Sequence, residues 1–289
     1  MLEKPGKTDV TGSFTSDVLL HGPDALFDNL AGIFTSFLVH GDVSLELLSC
    51  AFLPLFKGGL KNPNSSDIYK AIAGSSQILK LLDNVIILLW GDLLASDTLQ
   101  FGFKKGTSTT PCSWLVMETA AYYLRQGTPV IATLLDCSKA FDLCRFSTLF
   151  QKLLDRDLPA IVIRLLAYVY EEQAGCVRWD GIRSSEFSIT NGTRQGSVLS
   201  PTLFSVYLDD LLKELRHLGL GCHVGGVWVG AAGYADDLIL LSPSRTDMVS
   251  MLKVCEQYAE RHNLLFSADP NPSKSKSNCL YMCGYMEPV

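Results

Sequence analysis

Ala231-Ala232-Gly233-Tyr234-Ala235-Asp236-Asp237-Leu238-Ile239-Leu240-Leu241 sets two adjacent carboxylates inside an otherwise apolar run. Ionised carboxylates are costly among Leu and Ile unless something compensates their charge, and a divalent cation does so well. Upstream, Val130-Ile131-Ala132-Thr133-Leu134-Leu135 has the pattern of a buried strand, and Asp136 closes it. Two carboxylates at the mouths of apolar strands are a donor set for two-metal phosphoryl transfer. Acids at strand ends are more often plain turn residues, and Asp-Asp pairs mostly sit on solvated faces. Surface charge is the expectation for Asp209-Asp210, on a helix whose apolar residues Leu203, Phe204, Tyr207, Leu208, Leu211, Leu212 and Leu215 have helical spacing.

The chain has 289 residues, 47% of them hydrophobic, enough for a sizeable core in one large domain or two lobes. Only 19% are charged and no long low-complexity tract appears, which excludes a disordered protein. A net charge of −6 does not mark a nucleic-acid binder. Basic residues gather locally, however, at Lys57, Lys61 and Lys70, at Lys104-Lys105, and at Lys274 and Lys276, and a phosphate-tracking groove needs only a local field. The nine cysteines are scattered without a Cys-x-x-Cys pair, which reads as free thiols in a reducing compartment. Neither Cys279 with Cys283 nor the five histidines have metal-ligand spacing. The run Ile78 to Trp90 is interrupted by Lys80, Asp83 and Asn84 and falls short of the roughly 20 apolar residues of a membrane span. No apolar signal core opens the chain, so the expectation is an intracellular protein with no membrane partner.

Helical spacing covers Leu26 to Phe37, residues 75 to 95 and Cys112 to Arg125, the last two separated by the Gly/Thr/Ser loop Phe101 to Pro111. Phe52 to Phe56 reads as a short strand. Two helices split by Pro159 follow Asp136. Gly175–Trp179 and Arg183–Ile189 then alternate as strands around the tight-turn pair Asp180-Gly181. Ser200-Pro201 opens the next helix. Val224 to Leu241 reads as a β-hairpin with the acids at its tip, and Ser244-Arg245-Thr246-Asp247 as a capping box for a helix to about His262. This order suits an α+β fold, a sheet backed by helices.

Three segments combine: Asp136-Cys137-Ser138-Lys139-Ala140-Phe141-Asp142, Asn191-Gly192-Thr193-Arg194-Gln195-Gly196-Ser197 with Ser200-Pro201, and Tyr234-Ala235-Asp236-Asp237. In this order they resemble motifs A, B and C of reverse transcriptases, and the non-long-terminal-repeat (LINE-type) retrotransposon class above all. Leu53-Pro54-Leu55-Phe56-Lys57 and Tyr69-Lys70-Ala71-Ile72 look like that class's fingers motifs. Gln100-Phe101-Gly102-Phe103, with Ser108-Thr109 further on, is similar to its Q-x-G-F-x-x-x-x-S-T signature, and Asn271 to Met282 looks like motif D. The resemblance spans almost the whole chain.

It implies a right-hand polymerase fold of the α+β class with fingers and palm, the palm an antiparallel sheet backed by helices, and the thumb absent. Residues 1–48 would be an N-terminal helical extension and 49–289 the reverse transcriptase domain, with fingers at about 49–128 and 143–190 and palm at about 129–142 and 191–289. It implies RNA-directed DNA polymerase activity on an RNA template with a DNA primer and dNTPs, in the cytoplasm and nucleus. Asp136 and Asp236 would hold two Mg²⁺ ions (or Mn²⁺) about 3.5–4 Å apart, with the Cys137 carbonyl completing a coordination sphere. Asp237 would be a weaker partner, because adjacent strand residues point to opposite faces. Lys57 and Lys70 would contact the triphosphate, Phe141 would exclude a ribose 2′-hydroxyl, and Gln195 would contact the nucleotide. Arg194 and Gly196 would meet the template, and Lys276, or failing it Lys274, would give a proton to pyrophosphate.

Lys70-Ala71 stands where the family usually has Arg-Pro, which keeps the charge and loses the bidentate fork. The family usually carries an endonuclease before this region and a thumb after it, so the expectation from these 289 residues is a truncated element copy or an excised fragment. A catalytically silent palm that binds RNA, or a decayed copy, is the first alternative. An RNA-dependent RNA polymerase is the second, although such enzymes usually carry Gly-Asp-Asp and a small or polar group in place of the Phe141 ring. Gly6-Lys7-Thr8 lacks the first glycine and the strand of a P-loop, and Gly219-x-Gly221 lacks the third glycine of a dinucleotide fingerprint. The oligomeric state stays open.

Overall fold

The computed structural model describes residues 15–56, 68–104, 106–194, 196–267 and 275–283. Helices α1 (Ser16–His21), α2 (Asp24–His40) and α3 (Leu45–Leu48) lead into strands β1 (Cys50–Phe56) and β2 (Tyr69–Gly74), then α4 (Gln77–Trp90) and α5 (Thr109–Arg125). Strand β3 (Val130–Asp136) is followed by α6 (Ala140–Leu143), α7 (Phe146–Leu154) and α8 (Ala160–Glu171). Next come β4 (Ala174–Trp179), β5 (Ile182–Arg183), β6 (Phe187–Ser188) and α9 (Ser200–Leu218). The chain continues through β7 (His223–Val224), β8 (Val227–Trp228), β9 (Ala231–Tyr234), β10 (Asp237–Ser242), α10 (Arg245–His262) and β11 (Asn278–Met282). It divides into two compact units, Met1–Leu94 with Leu149–Ser200, and Ala95–Thr148 with Pro201–Val289.

The first unit is built on a five-stranded sheet in the order β2-β1-β4-β5, with β6 also on β4. β1 runs antiparallel to β2, Leu53 opposite Ile72, and parallel to β4, Cys50 opposite Gly175. Asp180 and Gly181 both have positive φ (47° and 78°), the geometry of the two-residue turn that joins β4 to β5. The expected strand Arg183–Ile189 breaks in two because the Ser184 hydroxyl accepts from Val177 N–H at 2.9 Å, replacing a backbone partner. Arg164 closes the end of α2 by donating to the carbonyls of Leu38 and Val39.

The second unit holds a four-stranded antiparallel sheet in the order β11-β3-β10-β9. Strand residues alternate faces, so Val130, Ala132 and Leu241 share one side and meet Leu115, Val116 and Tyr123 of α5. Leu238 and Leu240 point the other way and are also buried. The apolar stripe of α9, from Leu203 and Phe204 to Leu215, is buried almost completely, as its spacing predicts. Ser244 caps α10, its hydroxyl accepting from Asp247 N–H. Among the described residues no helix is long and apolar enough to cross a membrane.

Three expectations need correction. The hairpin Val224 to Leu241 is two objects, because Gly225 and Gly226 turn β7 onto β8 and only Ala231–Ser242 forms the hairpin carrying the acids. Helix α5 starts three residues early, since Ser108 accepts from Thr110 N–H and caps it there. Asp209 is not surface charge: it is 2% exposed, it accepts from Asp97 N–H, and its other oxygen lies 2.9 Å from Lys213 Nζ. The loop that begins at Asp97 covers the helix face that periodicity marks as polar.

Candidate active site

Antiparallel pairing of β3 with β10 sets Asp136 directly opposite Asp237, so both carboxylates leave the same face of the sheet. Asp236 occupies the turn before β10, and Asp237, the first residue of that strand, pairs with Asp136 across the ladder. The turn residue Ala235 has φ +60°, left-handed backbone that L-residues adopt at a cost. The Asp136 end of β3 is tied down as well. Ser267 N–H donates to the Asp136 carbonyl at 2.7 Å, Ser138 N–H to the Leu265 carbonyl at 2.8 Å, and Asp136 N–H to Ser277 Oγ at 3.2 Å.

Burial raises the Asp237 carboxyl above the usual range, and the charges of Asp236 and Asp136 add to that, opposed by Lys276. Lys276 Nζ lies 3.4 Å from Asp136 Oδ2, with the lysine 69% exposed, so the pair is held weakly. Burial pushes the Cys137 thiol up to about 12, with the three acids adding to the shift, so Cys137 offers a backbone carbonyl and not a thiolate. Among the described residues no three acid, histidine or cysteine side chains close on one point tightly enough to enclose an ion. The donor chemistry still fits a hard divalent cation: carboxylate oxygens from adjacent strand ends, a backbone carbonyl beside them, and a carboxyl whose ionisation its neighbours oppose. Asp136, Asp237 and Lys276 line a cleft of about 390 Å³, walled by Ser113 and Met117 of α5, by Leu134 and by Tyr234.

Phe141 follows from α6, which begins after Lys139 in left-handed backbone (φ 50°). Its half-buried ring stacks on Phe204 at 4.8 Å between centroids and receives Phe103 edge-on at 5.9 Å. The second unit thus gathers Asp136, Cys137, Phe141, Asp236, Asp237 and Lys276. Arg194 and Gly196 belong to the first unit, as does the backbone of Lys70 in β2. Lys57, Gln195 and Lys274 lie outside the described residues, and so does the Lys70 side chain.

Arg194, expected to meet the template, is 7% exposed and points inward, its Nη1 3.6 Å from Cys50 Sγ and its charge beside Asp83. Asp83, on α4, accepts from Ser197 Oγ at 2.6 Å and from the amides of Val198 and Leu199. Gly196, at φ +107°, lets the loop pass so near β2 that a Cβ would lie 2.1 Å from the Ala73 carbonyl oxygen. Sequence reading missed Asp83, whose only signal was an acid interrupting the apolar run Ile78 to Trp90. It also gave Gln100 no role beyond its signature.

The reverse transcriptase (RNA-dependent DNA polymerase) family matches residues 61–276. The RNA-directed DNA polymerase from mobile element jockey of Drosophila melanogaster is 28% identical over 257 residues, 86% of this chain and 27% of that protein. Its counterpart from Drosophila funebris is 27% identical over 274 residues, 90% of this chain and 29% of that protein. The Retrovirus-related Pol polyprotein from type-2 retrotransposable element R2DM of Drosophila melanogaster is 32% identical over 135 residues, 47% of this chain and 13% of that protein. The chain therefore spans less than a third of the length of these relatives. With the family's sequence pattern running through both units, this chain belongs to the reverse transcriptases, among relatives from LINE-type retrotransposable elements.

Proposed function

We propose that the chain catalyses RNA-directed DNA synthesis, adding dNTPs to the 3′-hydroxyl of a DNA primer on an RNA template. The observation that carries this reading is the register of β3 and β10, which sets Asp136 opposite Asp237 with Asp236 in the adjoining turn. On this reading the second unit is the palm and the first supplies the fingers, within the cytoplasm and nucleus of a host cell.

Asp136, Asp236 and Asp237, with the Cys137 carbonyl, would hold Mg²⁺ or Mn²⁺. When bound, the cations neutralise charge on the transferred phosphoryl group and acidify the primer hydroxyl. The residues themselves do the rest. Asp136 and Asp237 orient the cation site from two rigid strand ends, which limits reorganisation during the reaction. Phe141, buttressed by Phe204, presents a fixed ring edge to the sugar and excludes a 2′-hydroxyl. Lys276, exposed and within reach of Asp136, carries a proton to the pyrophosphate leaving group. Lys57, Lys70 and Gln195 meet the nucleotide, and Gly196 allows close approach to the template.

Primer extension on an RNA template with dNTPs and Mg²⁺ tests the reading, with Asp236→Ala as the control. Extension that disappears in the variant is expected, a loss of about a thousandfold or more for a carboxylate at the reacting centre. Extension that persists in Asp236→Ala would sink it. Incorporation of ribonucleotides alone would move the chain to RNA-dependent RNA synthesis.

A further inference from the structure

Gln100 is 1% exposed, and its amide faces the turn that precedes the acids. Oε1 accepts from Ala235 N–H at 3.0 Å and from Gly102 N–H at 2.8 Å, while Nε2 donates to the Ala235 carbonyl at 3.1 Å. One side chain thus satisfies both backbone groups of the residue held in left-handed conformation next to Asp236. The flanking backbone adds two bonds, Phe101 N–H to the Gly233 carbonyl at 2.7 Å and Gly233 N–H to the Leu99 carbonyl at 2.8 Å. Gly102 packs on the same turn so tightly that a Cβ would stand 2.1 Å from Ala235 N, a backbone atom with nowhere to move. One residue on, Phe103 turns into left-handed backbone (φ 60°) and sets its ring edge-on against Phe141.

We propose that Gln100 is a positioning residue, clamping the Ala235 turn so that Asp236 and Asp237 are held in register with Asp136. The chemistry explains the residue type. Glutamate accepts but cannot donate to the Ala235 carbonyl, leucine leaves three backbone groups without a partner, and asparagine is one methylene too short. The same loop touches the Phe141 ring through Phe103, so the acids and the sugar-facing ring share one support. The proposal rests on the polymerase reading for its kinetic consequence but not for the clamp itself.

The test uses the full chain with Gln100→Leu and, separately, Gly102→Ala, which leaves the amide in place and displaces Ala235. Hydrogen exchange at the Ala235 amide reports the clamp. Binding of Mn²⁺, followed by its electron paramagnetic resonance signal, reports the acids. In Gln100→Leu the Ala235 amide is expected to exchange about a hundredfold faster. Mn²⁺ affinity and kcat are each expected to fall about tenfold or more, while KM for the dNTP stays within about threefold. Gly102→Ala is expected to repeat the kcat loss, and it decides the matter if Gln100→Leu does not fold. Unchanged exchange at Ala235, or fast exchange with kcat and Mn²⁺ affinity intact, would overturn the proposal. Equal damage to kcat and KM would reduce Gln100 to a packing role. Should the wild-type chain extend no primer, the polymerase reading falls, and the clamp is judged on exchange and Mn²⁺ affinity.

Discussion

Asp83 and Arg194 show how much one buried charge pair organises. Burial raises the Asp83 carboxyl despite the neighbouring Arg194 charge and the three hydrogen bonds it accepts, so those partners support ionisation there against the cost of burial. Asp83→Ala leaves Arg194 buried without its counter-charge and is expected to cost about 3–5 kcal/mol in urea unfolding, whereas Asp83→Leu combined with Arg194→Met costs less than the single change. A single variant no worse than the pair would refute this account. Asp97 gives a pH-dependent case. Its burial favours the neutral acid, but the hydrogen bonds from Arg216 and Leu99 prevail and lower its carboxyl overall. A depressed acid contributes stability above its unfolded value of about 3.9 and loses it as pH falls toward the folded value. Urea midpoints between pH 7 and pH 3 are therefore expected to fall less steeply in Asp97→Asn than in the wild type.

At the scale of elements, the loop from Arg194 to Ser200 is set by contact with β2. Gly196→Ala meets both a positive φ and the Ala73 carbonyl, so a loss of about 2 kcal/mol or more is expected in thermal unfolding. The α10 cap is the contrasting mild case: Ser244→Ala removes one hydrogen bond to Asp247 N–H and is expected to cost about 1 kcal/mol. The apolar faces of α9 and α10, the strand β3 and the Asp180-Gly181 turn were legible from spacing and turn chemistry. Strands β2 and β11 were not read as strands, because their residues lack a clean alternation and because the partner of β11, β3, lies far away in sequence. The split between β7–β8 and β9–β10 was hidden for a similar reason, since two adjacent hairpins and one long hairpin share the same apolar pattern.

For the whole molecule, a net charge of −6 gives no general attraction for a polyanion, so the proposed binding to a primer–template would rest on a few local cations. Affinity measured by fluorescence anisotropy is expected to fall steeply with salt, with a log–log slope corresponding to only a few phosphate contacts. A slope near zero would show binding that does not depend on lysines. The identity of the site was written in short segments: acids closing apolar strands, a ring five residues on, and a serine-proline helix start are local chemistry that survives in one dimension. What the tertiary structure alone decided is which groups face each other. β3 and β10 are a hundred residues apart, and only their register makes Asp237 rather than Asp236 the partner across from Asp136. Burial likewise placed Arg194, expected at the template, and Asp209, expected as surface charge, in the interior. Residue type and local period determine which elements form. Facing and burial depend on long-range pairing, whose energy belongs to neither segment alone.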